Sequence, residues 1–134
     1  MRFCSDRKMR DPRPGLAWSH RRLQTRARYA GYMDSQEWWR RRERWLAEWI
    51  QAHGAEPVCT GCGGEWTLRT GDLHHRTYAR LGRESWRDLM PLCRACHREL
   101  HRIMESDVSW RRLGREQASD LIAARLRSRK ETTR

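Results

Sequence analysis

Apolar residues recur at helical spacing in three stretches of the chain, and between the first two the texture breaks into short, mixed elements. Trp38, Trp45, Leu46, Trp49 and Ile50 fall along one helical stripe, which predicts an amphipathic, Trp-rich helix over residues 34–53. Asp34 with Glu37 supplies a capping box at its start, and Gly54 can stop it. Arg40, Arg41 and Arg44 lie off the stripe, so the helix is expected to bury its tryptophans and turn these arginines outward, toward phosphate or simply toward solvent. After Pro57, Trp66-Thr67-Leu68-Arg69, a Thr70-Gly71 turn and Asp72-Leu73-His74-His75 predict a β-hairpin, with a loop from Arg76 to Pro91 behind it. Arg94 to Glu105 reads as a helix carrying His97, Leu100, His101 and Met104 on one side. The last stretch, Arg115 to Arg127, sets Ala118, Leu121, Ile122 and Leu126 on one face, so residues 115–134 are expected to be a helix that packs back on the domain and ends in a basic tail. The order strand, strand, helix with flanking helices is an α+β pattern.

Composition narrows what can stabilise such a chain. With 134 residues, one domain plus tails is expected, and only 37% of them are hydrophobic, so the core must be small. Eight tryptophans supply large apolar surfaces, and a bound metal would add a further constraint. The formal charge of +12 calls for a polyanionic partner, with nucleic acid first and an anionic membrane surface as the other attraction. Residues 1–30 hold nine Arg or Lys against two Asp, broken by Pro12, Pro14 and Gly15. They read as a flexible basic arm, or equally as a solvated tail or a start upstream of the true one. Met1 to Arg10 lacks the apolar segment of a secretory signal, and no stretch approaches the roughly 20 apolar residues of a spanning helix, so a cytoplasmic setting is expected.

Five cysteines include two C-x-x-C pairs, Cys59-Cys62 and Cys93-Cys96, with thirty residues between the pairs. Each pair can turn two thiolates onto one ion, and Zn²⁺ takes four such ligands tetrahedrally. Gly61, Gly63 and Gly64 suit that turn. Structural zinc is the reading; a redox dithiol or unligated thiols are its alternatives.

Inside or just beyond that frame lie His74, His75, His97 and His101. His97 and His101 stand one helical turn apart, which lets both imidazoles reach one cation; two solvent-facing histidines would be the plainer account of that pair alone. The preceding His-His pair and the adjacent cysteines favour a second metal site. The segment from Cys59 to His101 resembles the HNH nucleases, the ββα-metal or His-Me finger group, in its four-cysteine zinc-framed version. The pieces that carry the resemblance are the C-x-x-C, Leu73-His74-His75, Asp88-Leu89-Met90-Pro91-Leu92-Cys93, and Cys96-His97-x-x-x-His101.

The resemblance implies a ββα-metal domain over residues 57–105 and a metal-dependent endonuclease acting on double-stranded DNA, bacterial or phage-encoded. It implies His75 as general base and His74, His97 and His101 as ligands of one catalytic divalent ion, Zn, Ni, Mn or Mg. Asp88 stands where the family's middle Asn is usual; an ionised Asp accepts hydrogen bonds and cannot donate them, so its expected role is to hold the loop or orient an imidazole. Arg76, next to the base, is expected to contact phosphate, and otherwise to be a surface arginine. The alternative function is a zinc-stabilised nucleic-acid-binding or phage packaging module without turnover.

Overall fold

The computed structural model describes residues 26–133, so the arm expected over residues 1–30 lies mostly outside the described residues. Its last part, from residue 26, belongs to a helical stretch that runs to residue 33. Two compact units divide within the next helix, between Trp39 and Arg40. That helix, α1, spans Gln36–His53 and stops before Gly54 as expected. Its cap is one residue later than the pattern predicts: the Ser35 hydroxyl accepts from the Trp38 amide at 3.1 Å, and the Asp34 amide is used by the Ala30 carbonyl. Asp34 and Glu37 therefore form no capping box, because the preceding helical stretch has already claimed Asp34.

In the unit that begins at Arg40, the order is the rest of α1, β1 (Gly71–His75), β2 (Leu89–Cys93), α2 (Arg94–Ser106), α3 (Val108–Leu113) and α4 (Arg115–Thr132). The fold is α+β, with a two-stranded antiparallel sheet. The hairpin expected between residues 66–69 and 72–75 does not form. Instead Gly71 pairs with Cys93 and His75 with Leu89, so part of the stretch read as loop, Leu89–Pro91, is strand. The reason is local. Thr67 and Thr70 close a tight turn on themselves, the Trp66 indole donates to the Asp72 carbonyl at 2.8 Å, and Arg42 takes the Leu68 and Gly71 carbonyls. Leu89-Met90-Pro91-Leu92 is the apolar run that completes the sheet, and Pro91 is tolerated because a two-stranded ribbon has only edges.

Alternation along the paired strands sends the two faces to different work. Met90 and Leu92 join Leu100, Ile103, Ala118, Ile122, Ala123 and Cys59 in the main core, between the sheet, α2 and α4. On the opposite face Leu73 and Leu89 are buried, and Trp45 of α1 is completely enclosed, with its indole N–H on the Trp86 carbonyl at 3.0 Å and its ring 5.3 Å from Trp66. Of the predicted stripe Trp38 and Trp45 are buried as the spacing predicts, whereas Leu46 and Trp49 are only half-buried and Ile50 is exposed. The arginines beside it are not uniform: Arg40 and Arg44 are exposed, but Arg41 is buried, donating to the Glu84 carbonyl and pairing with Glu48, so it is not turned outward as expected. Among the described residues no helix is long and apolar enough to cross a membrane.

Candidate metal centres

Cys59 and Cys62 sit on a tight turn after α1, and Cys93 and Cys96 at the start of α2, where the Cys93 sulfur accepts from the Cys96 amide as the helix cap. Two glycines shape the turn. A Cβ on Gly61 would lie 2.9 Å from the Cys96 side chain, and Gly63 has φ +74°, a left-handed conformation that glycine adopts without strain. The four sulfurs lie within 4.8 Å of one another, and Cys62 and Cys93 are 3.9 Å apart, close to the edge of about 3.8 Å that a tetrahedron with 2.3 Å zinc–sulfur bonds requires. Backbone amides point at the sulfurs: Cys62 and Cys93 at Cys59, and Gly64 at Cys62.

Such donors favour thiolate over thiol. Burial pushes the Cys59 thiol up, but the amides of Cys62, Cys93 and Gly61 outweigh it and bring the group down to about 7. Cys96 goes the other way, raised by burial and by its sulfur neighbours Cys93 and Cys59. Four thiolates this close are mutually tolerable only around a cation, so the group can hold a structural metal such as zinc.

The second cluster is built by strand alternation and helical spacing together. His74 leaves β1 on the face that carries Met90, while His97 and His101 leave α2 one turn apart. His74 Nδ1 is 3.3 Å from His97 Nε2, and His101 Nε2 is 3.1 Å from the same atom. A tetrahedral ion with 2.0–2.1 Å bonds to nitrogen needs edges of about 3.3 Å, so the spacing fits a cation. The outer nitrogens are tied. His97 Nδ1 meets the Asp72 carboxylate at 3.0 Å, and His74 Nε2 meets the Ser119 hydroxyl at 2.8 Å. Partners of this kind fix which ring nitrogen faces inward. Burial, Arg115 and the neighbouring histidines hold His74 far below the usual imidazole range, and burial with His97 and Arg115 brings His101 down to about 4. Both are therefore neutral, as ligands must be.

His75 points to the other face of the sheet. Its side chain is 0% exposed and its Nε2 lies 2.7 Å from Glu84 Oε2, itself equally enclosed. Tyr78 stacks obliquely at 5.6 Å. Asp88 is buried and makes no hydrogen bond to the His75 ring among the described residues. It closes a capping box on the turn Trp86–Asp88, accepting from the Ser85 amide at 2.9 Å, and Arg80 chelates it, holding its carboxyl below the usual carboxylate range. Its carbonyl accepts from the Arg76 amide at 2.7 Å. Arg76 is bound in the chain by Asp120, at 2.7 and 2.5 Å, and by the Arg87 carbonyl.

Sequence reasoning missed Asp72, Ser119 and Glu84. Asp72 had a signal, since it lies two residues before His74 and so shares its face. Ser119 and Glu84 had none, because helix packing and loop closure bring them in. Asp72→Asn is expected to weaken binding of Ni²⁺ to the histidine cluster by about 10- to 100-fold, read by titration of the folded protein. An unchanged affinity would show that Asp72 does not orient His97. No protein-family model matches the chain, and comparison with curated proteins and with solved structures gave no match.

Proposed function

We propose that this protein is a metal-dependent endonuclease of the HNH type, hydrolysing phosphodiester bonds of DNA. The observation that carries the reading is the convergence of His74 Nδ1, His97 Nε2 and His101 Nε2, with Asp72 and Ser119 on the outer nitrogens of two of them. A ββα unit, β1–β2–α2, presents that cluster beside the four cysteines, as the sequence resemblance implies. When bound, a divalent ion there supplies Lewis-acid stabilisation of the charge that develops on the phosphate. His75 is the general base: with Nε2–H given to Glu84, Nδ1 is the basic nitrogen that takes the proton from water as its oxygen attacks phosphorus. The charge of +12 draws the chain to DNA.

One observation favours a second reading, a zinc-stabilised nucleic-acid-binding or phage packaging module. His75 is enclosed and faces away from the histidine cluster, which a structural role explains without any chemistry. Supercoiled plasmid incubated with the protein and Mn²⁺, Ni²⁺, Zn²⁺ or Mg²⁺ separates the two. Nicked or linear product is expected with at least one ion, falling by at least about 100-fold in His97→Ala. No cleavage with any ion, or equal cleavage by the folded variant, sinks the nuclease reading.

A further inference from the structure

The C-terminal helix α4 touches both metal centres. The Ser119 hydroxyl, fully buried, lies 2.8 Å from His74 Nε2. Just over two turns later, about 12 Å along the helix axis, comes Arg127. Its guanidinium lies on the turn that carries Cys59 and Cys62, donating from Nε to the Thr60 carbonyl at 3.4 Å and from Nη2 to the Cys59 carbonyl at 3.3 Å. The turn is shaped to receive the helix. A Cβ on Gly63 would come 2.8 Å from an Arg127 guanidinium nitrogen, and one on Gly61 would lie 3.5 Å from the Leu126 side chain. Four thiolates around Zn²⁺ leave a net charge of about −2, so the cation on this turn favours the loaded centre as well as holding the helix.

The packing of α4 leaves this tie something to decide. Ala118, Ile122 and Ala123 bury the helix in the main core, and apolar contact of this kind is non-directional. It fixes the depth of the helix better than its position along its own axis. The bond from Ser119 to His74 depends on that position, because hydrogen bonds weaken steeply with misalignment. We propose that Arg127 is a positioning residue for the histidine centre: by fastening α4 to the zinc turn it sets Ser119 on His74, and so links the four-cysteine centre to the affinity of His74, His97 and His101 for a divalent cation. Arg127 and Ser119 both lie outside the segment from Cys59 to His101 that resembles the HNH nucleases, so the link belongs to the C-terminal helix. It rests on the three-histidine cation site of the proposed function, and not on turnover.

The test is a double-mutant cycle on Ni²⁺ affinity in the full chain, with zinc on the cysteines. Arg127→Gln is expected to weaken Ni²⁺ binding by at least about fivefold, although Arg127 contacts the zinc turn and not the histidines, and to speed loss of zinc to a chelator by a similar factor. Ser119→Ala should weaken Ni²⁺ binding by about tenfold and leave zinc loss at the wild-type rate. Because Arg127 acts through Ser119, the double variant should bind Ni²⁺ within about twofold of Ser119→Ala, whereas a purely structural Arg127 would multiply the two effects. A measurement on unaltered protein guards against misfolding of the variants: Ni²⁺ added to the zinc-loaded wild type should slow amide exchange at the far end of α4, residues 126–132, by at least about threefold. Wild-type Ni²⁺ affinity in Arg127→Gln, multiplied effects in the double variant, or unchanged exchange at that end overturns the Arg127 assignment alone. Failure of wild-type protein to bind nickel overturns the cation site and this assignment with it. The link found in a protein that never cleaves DNA keeps Arg127 in this role and removes the nuclease.

Discussion

Cys59→Ser is expected to leave the protein without a cooperatively folded ββα unit, a loss of several kcal/mol, because metal affinity in small zinc domains is itself folding free energy of about 10–16 kcal/mol. Cys59 is the most enclosed of the four cysteines, at 0% exposure, and belongs to the same buried cluster as Leu92, Leu100 and Ile122. Its sulfur also receives the amides of Cys62 and Cys93, so one atom ties the turn after α1 to the junction of β2 and α2. Serine would supply a weaker ligand to zinc and leave those amides a poorer acceptor in a buried place. The apolar residues beneath are few, and a two-stranded sheet has little stability of its own. Metal content and thermal melting followed by circular dichroism check this. Stripping zinc from the unaltered protein with a strong chelator should produce the same melted state. A metal-free Cys59→Ser protein that melts cooperatively within about 1 kcal/mol of the wild type would refute the zinc scaffold.

What the sequence made legible follows from how local each cue is. The C-x-x-C pairs and the i, i+4 histidines of α2 are spacings within one turn, and the structure brings each set together as those spacings imply. The tryptophan helix was legible for the same reason. Strand pairing was not, because pairing is a choice among partners: Trp66-Thr67-Leu68-Arg69 has the local look of a strand, but Leu89-Met90-Pro91-Leu92 offers apolar side chains to both faces and wins the register with β1. The short helix α3 escaped notice because Val108, Trp110 and Leu113 are too few to show a period. Glu84 lies in a stretch without any period, and only the closed loop, with Arg41 on its carbonyl, places its carboxylate on His75.

The largest chemical effect is expected at His75. If it is the base, His75→Ala should lower metal-dependent plasmid cleavage by about 100- to 10,000-fold, the usual worth of a positioned proton acceptor. Metal binding should be untouched, since His75 leaves β1 on the face opposite His74 and its ring reaches Glu84 rather than the histidine cluster. That separation makes the test informative: His97→Ala should lose both the ion and activity, whereas His75→Ala should keep two metals per chain and lose activity alone. Glu84→Gln is expected to fall between His75→Ala and wild type, because an amide can still hold the ring but no longer stabilises the imidazolium that forms when Nδ1 takes a proton. The enclosure of His75 adds a condition. Its imidazole is fully enclosed and meets Glu84 and Tyr78 of residues 76–88, so if His75 is the base that stretch has to move to admit water, and the rate should respond to changes that loosen it more than to changes on the exposed face of α2. A folded His75→Ala protein with both metals that still cleaves at the wild-type rate would remove His75 from the chemistry and leave it as a buried partner of Glu84.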